Sequence, residues 1–410
     1  MAAPEHVVII GGGLAGAKTA ESLREQGFTG AVSLVAGEKH LPYERPPLSK
    51  GYLAGEASFN ESAVVHQADW YHDHDIDLRL HTRATGIDRA AHEVGLDQGE
   101  PLRYDKLVLA TGSLPRTLPV PGADAEGVHT LRTREDSDHI RHLFGPGRRL
   151  VVIGAGWIGL EVAAAARGAE TDVTVIEAAE LPLLRVLGPQ MATVFADLHR
   201  EHGVDLRLGT GLAAITVRDG RAVGVELEDG ERIDADAVVV GIGVTPDVAL
   251  AEAAGLETDN GVLVDASLRT SDPDIYAVGD IANHDHPVLG RRIRVEHWAT
   301  ALNQPRTAAA ALLGGSDTFT ELPYFFTDQY DLGMEYLGHA TSESTAQVVT
   351  RGDVAGREFV AFWLDGQGRV EAVMPVNTWD VLDRIKPVVT RRRAIAPERL
   401  ADPAIPWEEL

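Results

Sequence analysis

The 410-residue chain contains no cysteine. That absence excludes disulfides, thiolate metal sites, cysteine nucleophiles and any redox-active thiol pair. Long apolar runs are missing too, and none approaches the roughly 20 residues that a membrane helix needs. Positive charge is scarce: 37 Lys and Arg stand against 62 Asp and Glu, for a formal net charge of −25. So acidic a chain lacks the basic field that general nucleic-acid binding requires. There is no low-complexity tract. Met1-Ala-Ala-Pro leads into an apolar strand without the charged start and long apolar middle of a signal peptide. These absences predict a cytoplasmic protein with no membrane segment. Two His-rich stretches, HDHD at 72–75 and NHDHP at 283–287, read as local polar turns. Metal ligands converge from several elements, so no metal is expected. A G-x-S-x-G signature is also absent.

What is present is a duplication. VVIIGGGLAG occupies residues 7–16 and VVIGAGWIGLE residues 151–161. In the first copy Val7–Ile10 is a short buried strand. Gly11, Gly13 and Gly16 supply the tight turn, the close backbone approach and the helix–strand contact of a dinucleotide-binding loop. A helix with Ala15, Ala17 and Ala20 follows, and Gly27 suits its stop. The next strand, Ala31–Val35, is followed by Ala36 where an acid most often stands. Glu38, two residues late, is the nearest candidate for the adenosine ribose. The second copy is more complete. Leu150–Ile153 is the strand, Gly154, Gly156 and Gly159 the loop, and Leu160–Arg167 the helix. Strand Thr171–Ile176 then ends in Glu177, an acid roughly 20 residues on, placed to accept from the second ribose. Residues 178 and 179 are alanines, which favours NADH over NADPH. Arg185 lies a little downstream and within reach of a phosphate.

The repeat extends beyond the loops. DLRLHT (77–82) matches DLRLGT (205–210), and KLVLATGSLP (106–115) matches AVVVGIGVTP (237–246). In TSDPDIYAVGDIA (270–282), Ile275–Val278 reads as a strand and Gly279-Asp280 as the opening of a helix. Past residue 320 the pattern alternates. Asp331–His339, Ala346–Arg351, Phe359–Leu364 and Val370–Val376 read as antiparallel strands, with a DGQG turn at 365–368 and a final helix over Trp379–Arg393. The fold class expected is α/β, with two Rossmann-like dinucleotide-binding domains and a C-terminal α+β domain. Two such sites allow a flavin to be held permanently and a nicotinamide transiently, with direct hydride transfer between facing rings.

Further motifs carry a resemblance: PYERPPLSKGYL (42–53), LVLATG (107–112), LRTREDS (131–137), GLEVA (159–163), TSDP-x-I-x-AVGD (271–280), EHWATALNQ (296–304) and FFTDQYDLG (325–333). Over essentially its whole length the chain resembles the flavoprotein reductases of oxygenase systems. These are the NADH-dependent ferredoxin, putidaredoxin and rubredoxin reductases of the glutathione-reductase-like class. The resemblance implies an FAD domain over 1–112 and 245–320, an NAD domain over 113–244 and a C-terminal domain over 321–410. It implies FAD contacts at Leu14, Ala15, Arg45, Lys50, Ala84, Ala110, Thr111, Gly112, Arg132, Gly279, Asp280, His297 and Trp298. It adds Trp157 and Ile158 to the second loop, and Gly243 as the residue past which the nicotinamide approaches. Lys50 falls where the family places a lysine beside the isoalloxazine, and Glu161 where it places a partner carboxylate. Phe326 and Tyr324 stand where relatives often have Trp.

With no thiol pair, electrons must leave a flavin singly for a separate carrier. The resemblance makes that carrier a ferredoxin-type iron–sulfur protein feeding an oxygenase. Docking an acidic carrier needs a local positive patch; Arg291, Arg292, Arg294 and Arg306 are the candidates. Two other readings stay open: a rubredoxin reductase or NADH oxidase-like flavoprotein, and a redox-switched interaction protein like apoptosis-inducing factor.

Overall fold

The computed structural model describes residues 4–341 and 343–410, which fold into two compact units. One holds the chain up to Arg45 together with Phe59–Leu114 and Val244–Pro323. The other holds Pro46–Ser58, Pro115–Gly243 and Tyr324–Leu410.

The first unit is built on a five-stranded parallel sheet in the order Ile275–Ala277, Lys106–Leu109, His6–Ile10, Ala31–Val35, Ile76–Arg79. The central strand pairs on both sides, Val8 opposite Ser33 and Leu107. Both its faces are covered, so HVVII is apolar without alternation. Helix Leu14–Glu25 packs on helix Trp298–Leu312, and the buried small residues Ala15, Ala17 and Ala20 permit the close approach.

The second unit repeats this with the order Asp205–Leu208, Asp172–Glu177, Arg149–Ile153, Ala237–Val240, Val128–Thr130. It also carries a five-stranded antiparallel sheet in the order Tyr324–Gln329, Leu332–Gly338, Val370–Val376, Glu358–Asp365, Thr345–Asp353. Phe359, Phe362 and Trp363 are buried within it. The class is therefore the α/β one expected, with the antiparallel region at the C-terminal end. Segment Pro46–Ser58 belongs to this unit: Leu48 and Leu53 are buried, and the Ser137 hydroxyl donates to the Leu48 carbonyl at 2.8 Å. At the C-terminus Arg351 donates to the Pro403 and Ile405 carbonyls, its guanidinium 3.7 Å from the Trp407 ring centre.

Several elements depart from the sequence reading. Strand Tyr324–Gln329 extends the antiparallel set expected. Helix Trp157–Gly168 starts at Trp157, not Leu160, because Gly156 itself is the N-cap. The last long helix is shorter, Leu382–Arg391. Gly279-Asp280 opens only a three-residue 3-10 turn, Gly279–Ile281. The chain then enters strand Ala282–His286, because pairing with Val262–Val264 takes these residues. NHDHP is thus a strand in which His284 and His286 are buried, not a polar turn. Among the described residues no helix is long and apolar enough to cross a membrane, and no group of three or more His, Cys, Asp or Glu is placed to hold a metal ion.

Candidate functional site

Both parallel sheets carry a glycine loop of the same construction. Gly11 has φ +124°, and a Cβ there would stand 2.1 Å from the Ala110 carbonyl oxygen. Gly154 has φ +97°, and its Cβ would stand 2.6 Å from the Gly241 carbonyl oxygen. Any side chain at either position collides with the neighbouring strand's end. Gly16 and Gly159 lie against the carbonyls of Gly11 and Gly154 respectively, which fixes the helix on its own loop.

Gly13 and Gly156 are different. Each caps a helix of 12 residues with ordinary extended backbone, φ −92° and −80°. A Cβ on Gly13 would meet nothing within 4 Å, and one on Gly156 only the Gly241 oxygen at 3.9 Å. Neither backbone strain nor crowding asks for glycine there. Neither helix has an acid in its first turn or a side-chain cap on its first N–H groups. Open space before uncapped donors at a positive helix end is what a diphosphate needs. Both sites therefore fit a dinucleotide. Leu14 and Ala15 form the first turn of one helix; Trp157 and Ile158 form that of the other, where Ile158 is exposed.

In the first unit, Glu38 follows the second strand two residues late because Ala36 is packed against Gly12, where a Cβ on Gly12 would stand 2.3 Å away. The Glu38 carboxylate accepts from the Tyr43 hydroxyl at 2.5 Å and from the Arg45 guanidinium at 3.0 Å. Trp298 Nε1 donates to Glu44 at 2.7 Å; burial pushes the Glu44 carboxyl up, and the Trp298 hydrogen bond opposes this. His297 is the N-cap of the helix that Trp298 begins. Ala110 donates its N–H to Ile10, Thr111 donates to the Asp247 carbonyl at 2.6 Å, and Gly112 takes φ +75°. Gly279, at φ +76°, would place a Cβ 3.1 Å from that of Ala15. Asp280 follows it on the same short turn. Ala84 lies at the start of a separate antiparallel strand, Ala84–Asp88.

In the second unit the Lys50 ammonium donates to Glu161 Oε1 at 2.8 Å, and the Glu161 side chain is 3% exposed. The Phe326 ring centre lies 5.3 Å from Lys50 Nζ. Hydroxyls of Ser49 and Thr327 also donate to the Glu161 carboxylate, Thr327 at 2.6 Å. Behind Thr327 the contacts continue through Gln329 to His199 and Tyr330. Ser49, Thr327, Gln329, His199 and Tyr330 escape the sequence reading. The available signal was the alternation in FFTDQY: Thr327 and Gln329 face inward in register with Phe325.

Glu177 ends its strand as expected. Its carboxylate accepts the N–H groups of Ala155 at 2.8 Å and Ala179 at 2.9 Å. Arg185 is exposed on the first turn of the next helix. Gly243 takes φ +97°, with its carbonyl accepting from Arg116. The Arg132 N–H donates to Asp136, the acid of a capping box on helix Arg134–Arg141. Of the arginines expected at a docking patch, Arg291, Arg292 and Arg306 are exposed. Arg292 donates to the Val264 carbonyl and ion-pairs with Asp285. Arg294, its side chain 6% exposed, donates to the Asp280 carbonyl and pairs with Glu296.

Comparison with known proteins gives a consistent set. Residues 5–305 match the family described as pyridine nucleotide-disulphide oxidoreductase, and residues 324–410 match the family described as reductase C-terminal. The ferredoxin--NAD(+) reductase component of the anthranilate 1,2-dioxygenase system of Burkholderia cepacia is 43% identical, covering 97% of each chain. Rhodocoxin reductase of Rhodococcus erythropolis is 42% identical, covering 97% of this chain and 92% of that one. The solved covalent putidaredoxin reductase–putidaredoxin complex superimposes with a TM-score of 0.94 at 40% identity, over 99% of this chain and 97% of that one.

Proposed function

The chain belongs to the pyridine nucleotide-disulphide oxidoreductase family, among the ferredoxin--NAD(+) reductases that carry the reductase C-terminal domain, and we propose that it is the NADH-dependent reductase of a ferredoxin serving an oxygenase. FAD, when bound, supplies a centre that accepts a hydride and releases electrons one at a time. The observation that carries the reading is the pair of glycine loops, with room at Gly13 and Gly156 that the protein itself leaves unused.

Residues divide between the two nucleotides. The Gly11–Gly16 loop, with Leu14 and Ala15, offers its N–H groups to the FAD diphosphate, and Glu38, already gripped by Tyr43 and Arg45, accepts from its ribose. Gly279, Asp280, His297 and Trp298 hold the rest of FAD from the other sequence segment of that unit, with Arg45, Ala84 and the run Ala110–Gly112. Arg132 and Lys50 are the remaining residues at which the family resemblance implies FAD contacts. The Gly154–Gly159 loop takes the NADH diphosphate. Glu177, held by two backbone donors, accepts from its ribose and repels a 2′-phosphate. Gly243 leaves the nicotinamide unobstructed, and Lys50 with Glu161 orients it.

The functional division follows these roles: FAD over 1–112 and 245–320, NADH over 113–244, and a C-terminal domain over 321–410. We place the protein in the cytoplasm. For the carrier, exposed Arg306 and Arg291 are the favoured docking cations.

The test is an anaerobic titration followed by a coupled assay. NADH should bleach the bound flavin stoichiometrically, with NADPH far less effective. Cytochrome c reduction should then depend on added ferredoxin. Flavin that NADH leaves yellow, or cytochrome c reduction indifferent to ferredoxin, would overturn the reading.

A further inference from the structure

A buried carboxylate takes its state from its donors. Glu161 has three: Ser49, Lys50 and Thr327. The Thr327 hydroxyl has one proton, and Glu161 Oε1 receives it at 2.6 Å. Thr327 must then accept, and Gln329 Nε2 donates to it at 3.1 Å. That orientation turns the Gln329 carbonyl oxygen towards His199 Nε2, 2.8 Å away. A carbonyl accepts only, so His199 carries its hydrogen on Nε2. Its Nδ1 is left to accept from the Tyr330 hydroxyl at 3.2 Å. His199 is fully buried, and burial holds its pKa down to about 4, so the imidazole is neutral near pH 7. Tyr330 is anchored in turn by stacking on His202, ring centres 3.7 Å apart.

Every donor in this row thus points the same way, from Tyr330 through His199, Gln329 and Thr327 to Glu161. We propose that Thr327 is a positioning residue of the reductase: with Gln329, His199 and Tyr330 behind it, it fixes the orientation of the Glu161 carboxylate, and through Glu161 the ammonium of Lys50. The inference rests on the role proposed above for the Lys50–Glu161 pair. Donors aligned in one direction towards a carboxylate polarise one another and hold it in one orientation. Other charges act on the same point. On the Thr327 strand, burial pushes the Asp328 carboxyl up; Lys50 opposes this and Glu161 adds to it. At the far end His202 opposes a charge on His199, and Arg167 acts on Tyr330.

The experiment uses the FAD-loaded full chain and the variants Thr327→Val, Thr327→Ser, Tyr330→Phe and Glu161→Gln. Stopped-flow reduction by NADH is followed from pH 5 to 9, and the imidazole nitrogens of His199 are read by 15N NMR. In wild type, His199 should be neutral with hydrogen on Nε2 at pH 7. Thr327→Val should slow flavin reduction roughly tenfold. Its NADH dissociation constant should change less than its limiting rate. Thr327→Ser should restore the rate, and Tyr330→Phe should slow it by a smaller factor than Thr327→Val. An Nδ1–H or doubly protonated His199 at pH 7 overturns the direction of the row. If Glu161→Gln slows reduction but Thr327→Val and Tyr330→Phe track wild type at every pH, this inference fails and the role of the pair stands. If Glu161→Gln itself matches wild type, the role of the pair fails and takes this inference with it. Should Thr327→Val not fold, the serine and phenylalanine variants with the NMR reading still decide.

Discussion

The two glycine loops share their turn and their open helix end, yet they hold their acids differently. Glu38 is gripped by two side chains, the Tyr43 hydroxyl and the Arg45 guanidinium, both supplied by one short loop. Glu177 is gripped by main-chain N–H groups, one from its own glycine loop and one from just beyond its strand. A carboxylate fixed by backbone donors is in place before any ligand arrives and costs little reorganisation. One fixed by long side chains depends on a whole loop being ordered with it. The first arrangement suits a nucleotide that comes and goes at each turnover; the second suits one bound when the chain folds and then kept.

Substitutions in the two loops test that contrast, and the largest effects belong to the crowded glycines. Gly11→Ala drives a Cβ into the Ala110 carbonyl at positive φ. It should cost more than about 3 kcal/mol of stability, read as a melting temperature far below wild type and loss of flavin. Gly13→Ala and Gly156→Ala have room in the fold, so both should melt near wild type. They should separate by ligand. Gly13→Ala should lose flavin on dialysis, while Gly156→Ala should stay yellow with an NADH dissociation constant raised roughly tenfold. If both lose flavin, or both keep normal NADH affinity, the assignment of one loop to each nucleotide collapses.

Glu177→Gln comes next. It should raise KM for NADH about fivefold and narrow the preference for NADH over NADPH, as measured by the ratio of kcat/KM values. An unchanged ratio would leave selectivity to Arg185 or another residue.

Acid exposure compares the two units directly, because each holds a histidine whose pKa burial lowers to about 4: His284 in the first and His199 in the second. The unfolded chain takes up those protons near the ordinary value of 6.5, before the folded protein does. Their contribution to stability is therefore complete above pH 6.5 and lost progressively as pH falls towards 4. Melting temperature should drop across that window. A flat profile would mean that neither histidine is held neutral in the native state; half the expected drop would point to one of them.

The smallest effect is expected at the surface. Arg306→Glu should raise KM for ferredoxin a few-fold, more so at low salt, without touching the NADH titration.

How much of this lay in the sequence depends on the range of the interaction involved. The loops were legible because turn, close approach and helix start fall within a few residues of one another. Glu177 was legible because it stands at the end of its strand. The antiparallel C-terminal strands were legible through alternation alone. Gly279-Asp280 misled because a glycine followed by an acid reads as a helix start, whereas the turn they open stops at Ile281, where pairing of Ala282–His284 with Val262–Val264 takes the chain into a strand. The lateness of Glu38 needed the contact between Gly12 and Ala36 to explain it. The row behind Glu161 was out of reach for the same reason. It joins residues around 49, 161, 199 and 327, and no local pattern links them.

Gln329 gives that row a further property. A carboxamide cannot hand a proton onward without becoming an imidic acid, so the path between Glu161 and Tyr330 is an electrical insulator with a fixed polarity. Replacing that amide with a carboxylic acid would turn a compass needle into a leak.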